Sequence, residues 1–198
     1  FFYKFILTKI KIVFPLSTFY ENKTLFALLP NKQNKAMRKY ILLFYFFLSI
    51  SISAQVSDSF FDNDFSNNLE WKGNTLKFIV NIAKQLQLNA TAENGNAYLT
   101  TTSEVTKNAS WKCFVKIAIT PSSSNLAKIY LISDKEDLTA PLNGYYILIG
   151  NNTKDISLYR QEGTNSTKII DGTDNRLNAS TNEVLIKATR SLTGEWKL

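Results

Sequence analysis

Two groups of side chains in this 198-residue chain have the types and spacing to bind something, and a third has to be tested for catalysis. Asp58, Asp62 and Asp64, with Asn63 among them in DSFFDNDF, bring hard oxygens close together, the kind of donor set that calcium takes. A structural calcium there would fix the N-terminal strand of the domain; no other cofactor is expected. Trp71, Tyr146, Tyr159 and Arg160 are candidates for holding a sugar, because aromatic faces stack on pyranose rings and polar groups bond the hydroxyls. Tyr145 and Tyr146 are adjacent in the alternating run GYYILIG, so one faces the core, and Trp71 precedes a turn at Gly73 where it would cap the core.

The third group is the carboxylates. Glycoside hydrolysis needs only a pair of them. Glu136 and Asp137 lie in a polar loop, and Asp155 and Glu162 flank a strand without sharing its face at close spacing. A set of the form Glu-x-Asp-x-Glu on one strand does not occur. The chain has no His, which excludes His-based nucleophilic triads and His-bearing zinc sites. Its seven glycines are scattered, so no phosphate-cradling loop is present. Cys113 is alone and lies in an alternating apolar run, as a core thiol does. No catalytic residue is expected, and the chain is read as a non-enzyme.

The elements that would position these groups lie downstream of a leader. MRKYILLFYFFLSISISA, residues 37–54, has a basic start, an apolar run of about a dozen residues and small residues before Gln55. That is a helical secretory signal, too short to span a bilayer. Met37 is the only methionine, so residues 1–36 are expected to be an upstream non-native or disordered segment. Eight of the 23 Lys and Arg and one of the 16 Asp and Glu precede Gln55, so the leader carries +7 and the remainder no net charge. The basic character therefore belongs to the leader, and nucleic acid is not an expected partner. The membrane is a partner only through the signal peptide before cleavage.

From Gln55 onward, strand-like runs recur every 8 to 12 residues with turn residues between them. In ASWKCFVKIAIT, Trp111, Cys113, Val115, Ile117 and Ile119 fall on one face. TLKFIVN, KQLQLN, AYLTTT, LAKIYLIS, YYILIG, DISLYRQEG, STKIIDG and NEVLIKATR read as further strands, with GEWKL starting another. Asn143-Gly144 reads as a turn, NNTK as a hairpin loop, and SDKEDL as at most one helical turn. That number of strands suits two stacked antiparallel sheets. Residues 55–198 are thus expected to form one all-β sandwich domain, truncated at its C-terminal end.

DSFFDNDFSNNLEWKGNTLKFIVN, QLQLNATAENGNAYLTT, PLNGYYILIG, DISLYRQEG and KIIDGTD together resemble the N-terminal concanavalin A-like (laminin G-like) region of large exported Bacteroidetes proteins that often carry a lamin-tail domain downstream. The resemblance covers residues 58–198 and implies a jelly-roll sandwich on a secreted or cell-surface bacterial protein that touches extracellular glycans or matrix. The expected function is a non-catalytic binding or adhesion module. The alternatives are a structural spacer, and a truncated glycoside hydrolase whose acids lie beyond Leu198.

Overall fold

The longest strands form where β-branched and aromatic residues alternate with polar ones. The computed structural model describes residues 5–13, 56–67, 69–90 and 95–198. The expected signal peptide, and residues 1–36 apart from the stretch 5–13, lie outside the described residues. In chain order the strands are β1 (Phe5–Val13), β2 (Ser57–Asp58), β3 (Lys72–Gly73), β4 (Phe78–Val80), β5 (Leu86–Leu88), β6 (Leu99–Thr100), β7 (Ala109–Ile117), β8 (Ala127–Ser133), β9 (Leu142–Gly150), β10 (Asp155–Gly163), β11 (Asn165–Ile170), β12 (Asn182–Arg190) and β13 (Trp196–Lys197). One 3-10 turn, Thr75–Lys77, precedes β4. Among the described residues there is no α-helix, and no helix long and apolar enough to cross a membrane.

The strands pair antiparallel in three sheets. The largest has the order β13-β12-β7-β1-β5-β4, with β2 also paired to β1; the second is the meander β11-β10-β9-β8; β3 and β6 form a small ribbon. Alternation puts Trp111, Cys113 and Val115 of β7 inside, and the register sets them opposite Ala188, Ile186 and Val184 of β12. Ile147 and Ile149 of β9, Leu158 of β10 and Leu131 of β8 join the same buried cluster from the second sheet. Two antiparallel sheets therefore share one core, in a β-sandwich-like all-β arrangement. Each fully buried aliphatic side chain contributes about 1.5–3 kcal/mol to holding the layers together.

Three local readings change. Asn143 and Gly144 lie within β9 and form no turn. Leu131 is an extra residue in β8: Tyr130 pairs with Tyr146, and Ile132 with Tyr145. This bulge brings the β8 backbone so close to β9 that a Cβ at Gly144 would overlap the Ile132 carbonyl oxygen. The stretch SDKEDL is a loop with no helical turn. Asp134 accepts from the Asn143 backbone N–H at 2.7 Å, and Asp137 from the Thr139 N–H at 2.8 Å, offering the backbone partners other than a helix. Finally, β1 was not among the strands read from the sequence. It pairs with β7 along one edge, and with β5 and β2 along the other.

Candidate functional site

The core-averted face of the second sheet carries a row of aromatic residues that no local pattern announces. Register sets Tyr130 of β8 opposite Tyr146 of β9, Tyr146 opposite Tyr159 of β10, and Tyr159 opposite Lys168 of β11. The rings of Tyr146 and Tyr159 are stacked, with centroids 5.3 Å apart and planes 3° apart; Tyr130 lies 5.1 Å from Tyr146. The Lys128 ammonium sits 4.6 Å from the Tyr146 ring centre. Tyr146 is consequently buried by its neighbours, at 3 % exposure, and has no free ring face. Tyr130 and Tyr159 at its sides are partly exposed.

Beside β8 a cleft of about 1,050 Å³ opens, with Tyr98, Lys128, Tyr130, Asp134 and Gln161 among its lining. The Tyr130 hydroxyl donates to Gln161 Oε1 at 2.6 Å, and Gln161 Nε2 donates to the Gly163 carbonyl at 2.9 Å, which fixes both groups. Burial, helped by Tyr146, pushes the Tyr130 hydroxyl up to about 12, so it stays neutral. Burial also draws the Lys128 ammonium below its usual range. Burial and the neighbouring Asp137 raise the Tyr98 hydroxyl. Hydrogen bonds from the Asn143 backbone and side chain hold the Asp134 carboxyl below the usual range, so it stays ionised. Trp111 also lines the cleft; it is buried, and its indole N–H has no partner among the described residues.

Behind Tyr159 lies a buried carboxylate, Asp155, 1 % exposed. It accepts from the Ser157 hydroxyl, from Thr153 Oγ1 at 2.8 Å and from Lys168 Nζ at 3.5 Å. Lys168 also donates to Asp171 at 2.5 Å. Burial raises the Asp155 carboxyl, but the two hydroxyls and Lys168 outweigh it and leave the group below its ordinary value. The hydrogen bond to Asp171 raises Lys168.

The residues expected to form a site are dispersed. Tyr146 and Tyr159 are together. Arg160 is on the strand position between Tyr159 and Gln161, pointing to the other face, and pairs with Glu162 at 2.9 Å. Trp71 is buried in the core cluster, 6.3 Å from the Phe60 ring, though it also borders the cleft. Its Nε1 donates to Asp58 Oδ2 at 2.9 Å, while Asp58 Oδ1 accepts from the Phe60 N–H at 2.8 Å. Asp62 Oδ1 accepts from the Asp64 N–H at 3.2 Å. Asp64 accepts from the Ser66 hydroxyl and N–H and from Asn67, and these bonds hold its carboxyl far below the usual range. Among the described residues no three acidic, His or Cys side chains converge on one point. Calcium needs six to eight oxygens around it, and this donor set does not fit that requirement.

Tyr98, Lys128, Tyr130 and Gln161 were not singled out by sequence. The one available signal was the alternation of Lys128 and Tyr130 in LAKIYLIS, which marks a half-polar face; cross-strand register supplies the rest. No family model, curated protein or solved structure matches the chain.

Proposed function

We propose that the chain is a non-catalytic binding or adhesion module, and that the cleft along β8 takes an extracellular glycan chain. The observation that carries this is the fixed pair Tyr130–Gln161 at the edge of a cleft of about 1,050 Å³, with Tyr98 and Lys128 beside it. Such a lining mixes apolar ring surface with oriented donors and acceptors, which is how polyhydroxylated ligands are held. The resemblance to the concanavalin A-like regions of exported Bacteroidetes proteins supports the same reading. Two antiparallel sheets sharing one core are compatible with such a sandwich. In this reading the signal at 37–54 delivers the domain to the cell surface or the medium.

The test is a glycan array probed with the full chain, followed by titration of any ligand found. Tyr130→Phe and Gln161→Ala are each expected to weaken binding about tenfold through loss of a fixed polar contact. No reducing ends should be released on prolonged incubation. A folded chain that binds no glycan would replace this reading with that of a spacer.

A further inference from the structure

We propose that the slot between β7 and β5 is a strand-acceptor site. Its occupant in the exported protein is an extended peptide segment, apolar at the register positions opposite Ile117, Val115, Cys113 and Trp111, and acidic opposite Lys112. The inference rests on the export reading above, because cleavage before Gln55 is what removes β1.

The apolar requirement comes from β1 itself. Register sets Phe5 opposite Ile117, Leu7 opposite Val115, Ile10 opposite Cys113 and Ile12 opposite Trp111, with a shift between Leu7 and Lys9. The shift is needed because FILTKIKIV spaces its apolar residues as F-x-L-x-x-I-x-I, and a strict period of two would lose phase after Leu7. All four β7 partners are buried core residues.

The strand is also central. It pairs with β7 over its length, and on its other edge with β5 at Ile6 and Leu7 and with β2 at Ile10 and Lys11. Removing it opens two facing rows of main-chain N–H and C=O groups inside the sheet, and each row demands partners. An incoming strand would bond on both edges at once, where addition at an ordinary sheet edge bonds on one.

The acidic requirement comes from charge. Lys11 is opposite Lys112, and Lys112 is opposite Lys187, so three lysines line up across three strands. Lys112 and Lys187 are exposed. Like charges directly opposite each other are unfavourable in a sheet. Four residues along β7, the facing pair Lys116 and Glu183 meets at 2.6 Å. An acid at the Lys11 position would do the same for Lys112, and β1 does not provide it.

The full chain is exported through membranes that contain signal peptidase, and the product is identified by mass. Cut and uncut products are then titrated with labelled peptides: FILTKIKIV, its Lys11→Glu form, and a scrambled sequence of the same composition. The cut product is expected to bind both ordered peptides and not the scramble, with the Lys11→Glu form about fivefold tighter. A Lys112→Glu chain is expected to reverse that order. The uncut chain, its slot filled, should bind none. A product beginning at Gln55 that binds no peptide, or binds the scramble equally, overturns the acceptor site and leaves the export reading standing. Equal affinities for the two ordered peptides, unmoved by Lys112→Glu, overturn the acidic requirement. A chain that is never cut overturns this proposal together with the export reading, and the mass measurement tells the two failures apart.

Discussion

The indole nitrogen of Trp71 donates to Asp58 Oδ2 at 2.9 Å, across thirteen residues of chain. A residue whose type suits sugar stacking and one whose type suits cation binding thereby satisfy each other. The pair ties the segment before β3 to β2, next to the Phe60 ring. Trp71→Phe keeps most of the ring burial and strands the carboxylate, so it is expected to cost about 1–3 kcal/mol in urea unfolding. Trp71→Ala adds a cavity and is expected to cost about 3–5 kcal/mol. In a double-mutant cycle with Asp58→Asn, the two substitutions should be non-additive, by roughly 0.5–3 kcal/mol. Strict additivity would mean that the bond contributes nothing.

Calcium should leave the fold's stability unchanged. The oxygens of Asp58, Asp62 and Asp64 are engaged with nearby N–H and hydroxyl donors, and no three acids converge among the described residues. Thermal unfolding in millimolar calcium and in chelator is expected to agree within about 1 °C. An ion that bound only the folded state at a hundred times its dissociation constant would add about 2.7 kcal/mol, which such scans would show plainly.

The tyrosine row separates burial from exposure. Tyr146, 3 % exposed and covered on both sides, should behave as a core residue; Tyr146→Ala is expected to cost about 3–5 kcal/mol. Tyr159→Ala removes a half-exposed ring from one end of the row and should cost less than half as much. Equal losses would mean that the rings do not shield one another as described.

Stability should decline at both ends of the pH scale. Asp155 is held below its ordinary value by Ser157, Thr153 and Lys168 despite burial. A depressed carboxyl stabilises the fold above the unfolded value of about 3.9, and that contribution is lost as pH falls toward the folded value. Asp64, Asp134 and Asp137 shift the same way. The unfolding midpoint should therefore drop below about pH 4. At the alkaline end, burial pushes Cys113 up to about 12, as it does Tyr130. A raised folded value stabilises below the unfolded one, about 8.5 for the thiol, and that contribution is lost as pH rises from there. Replacing Cys113 with Ala should flatten the first part of the alkaline decline. A midpoint that falls just as steeply above about pH 9 in that variant would exclude the thiol as its source.

Gly144→Ala probes the bulge in β8. A Cβ there would meet the Ile132 carbonyl oxygen, a backbone atom that cannot swing aside. The substitution is expected to cost about 1–3 kcal/mol by overpacking. Gly95→Ala, where a Cβ would meet nothing, is the matched control and should be nearly neutral.

From residues alone, the all-β class and the inward face of β7 can be read, because alternation has a period of two and acts within a single strand. The inward set Trp111, Cys113, Val115 and Ile117 and the opposite facing of Tyr145 and Tyr146 follow from that local rule, and the turn at NNTK from its turn-forming residues. Tertiary structure alone decided that Trp71 turns inward to Asp58, that Tyr130, Tyr146 and Tyr159 align, and that Phe5–Val13 fills the middle of the large sheet. Each of these depends on which residue of one strand faces which residue of another. Bulges at Leu131 in β8, and between Leu158 and Tyr159 where β10 meets β11, shift that pairing by one residue. Such a shift changes every neighbour beyond it, and which strands meet across it is a matter of the packed sheets.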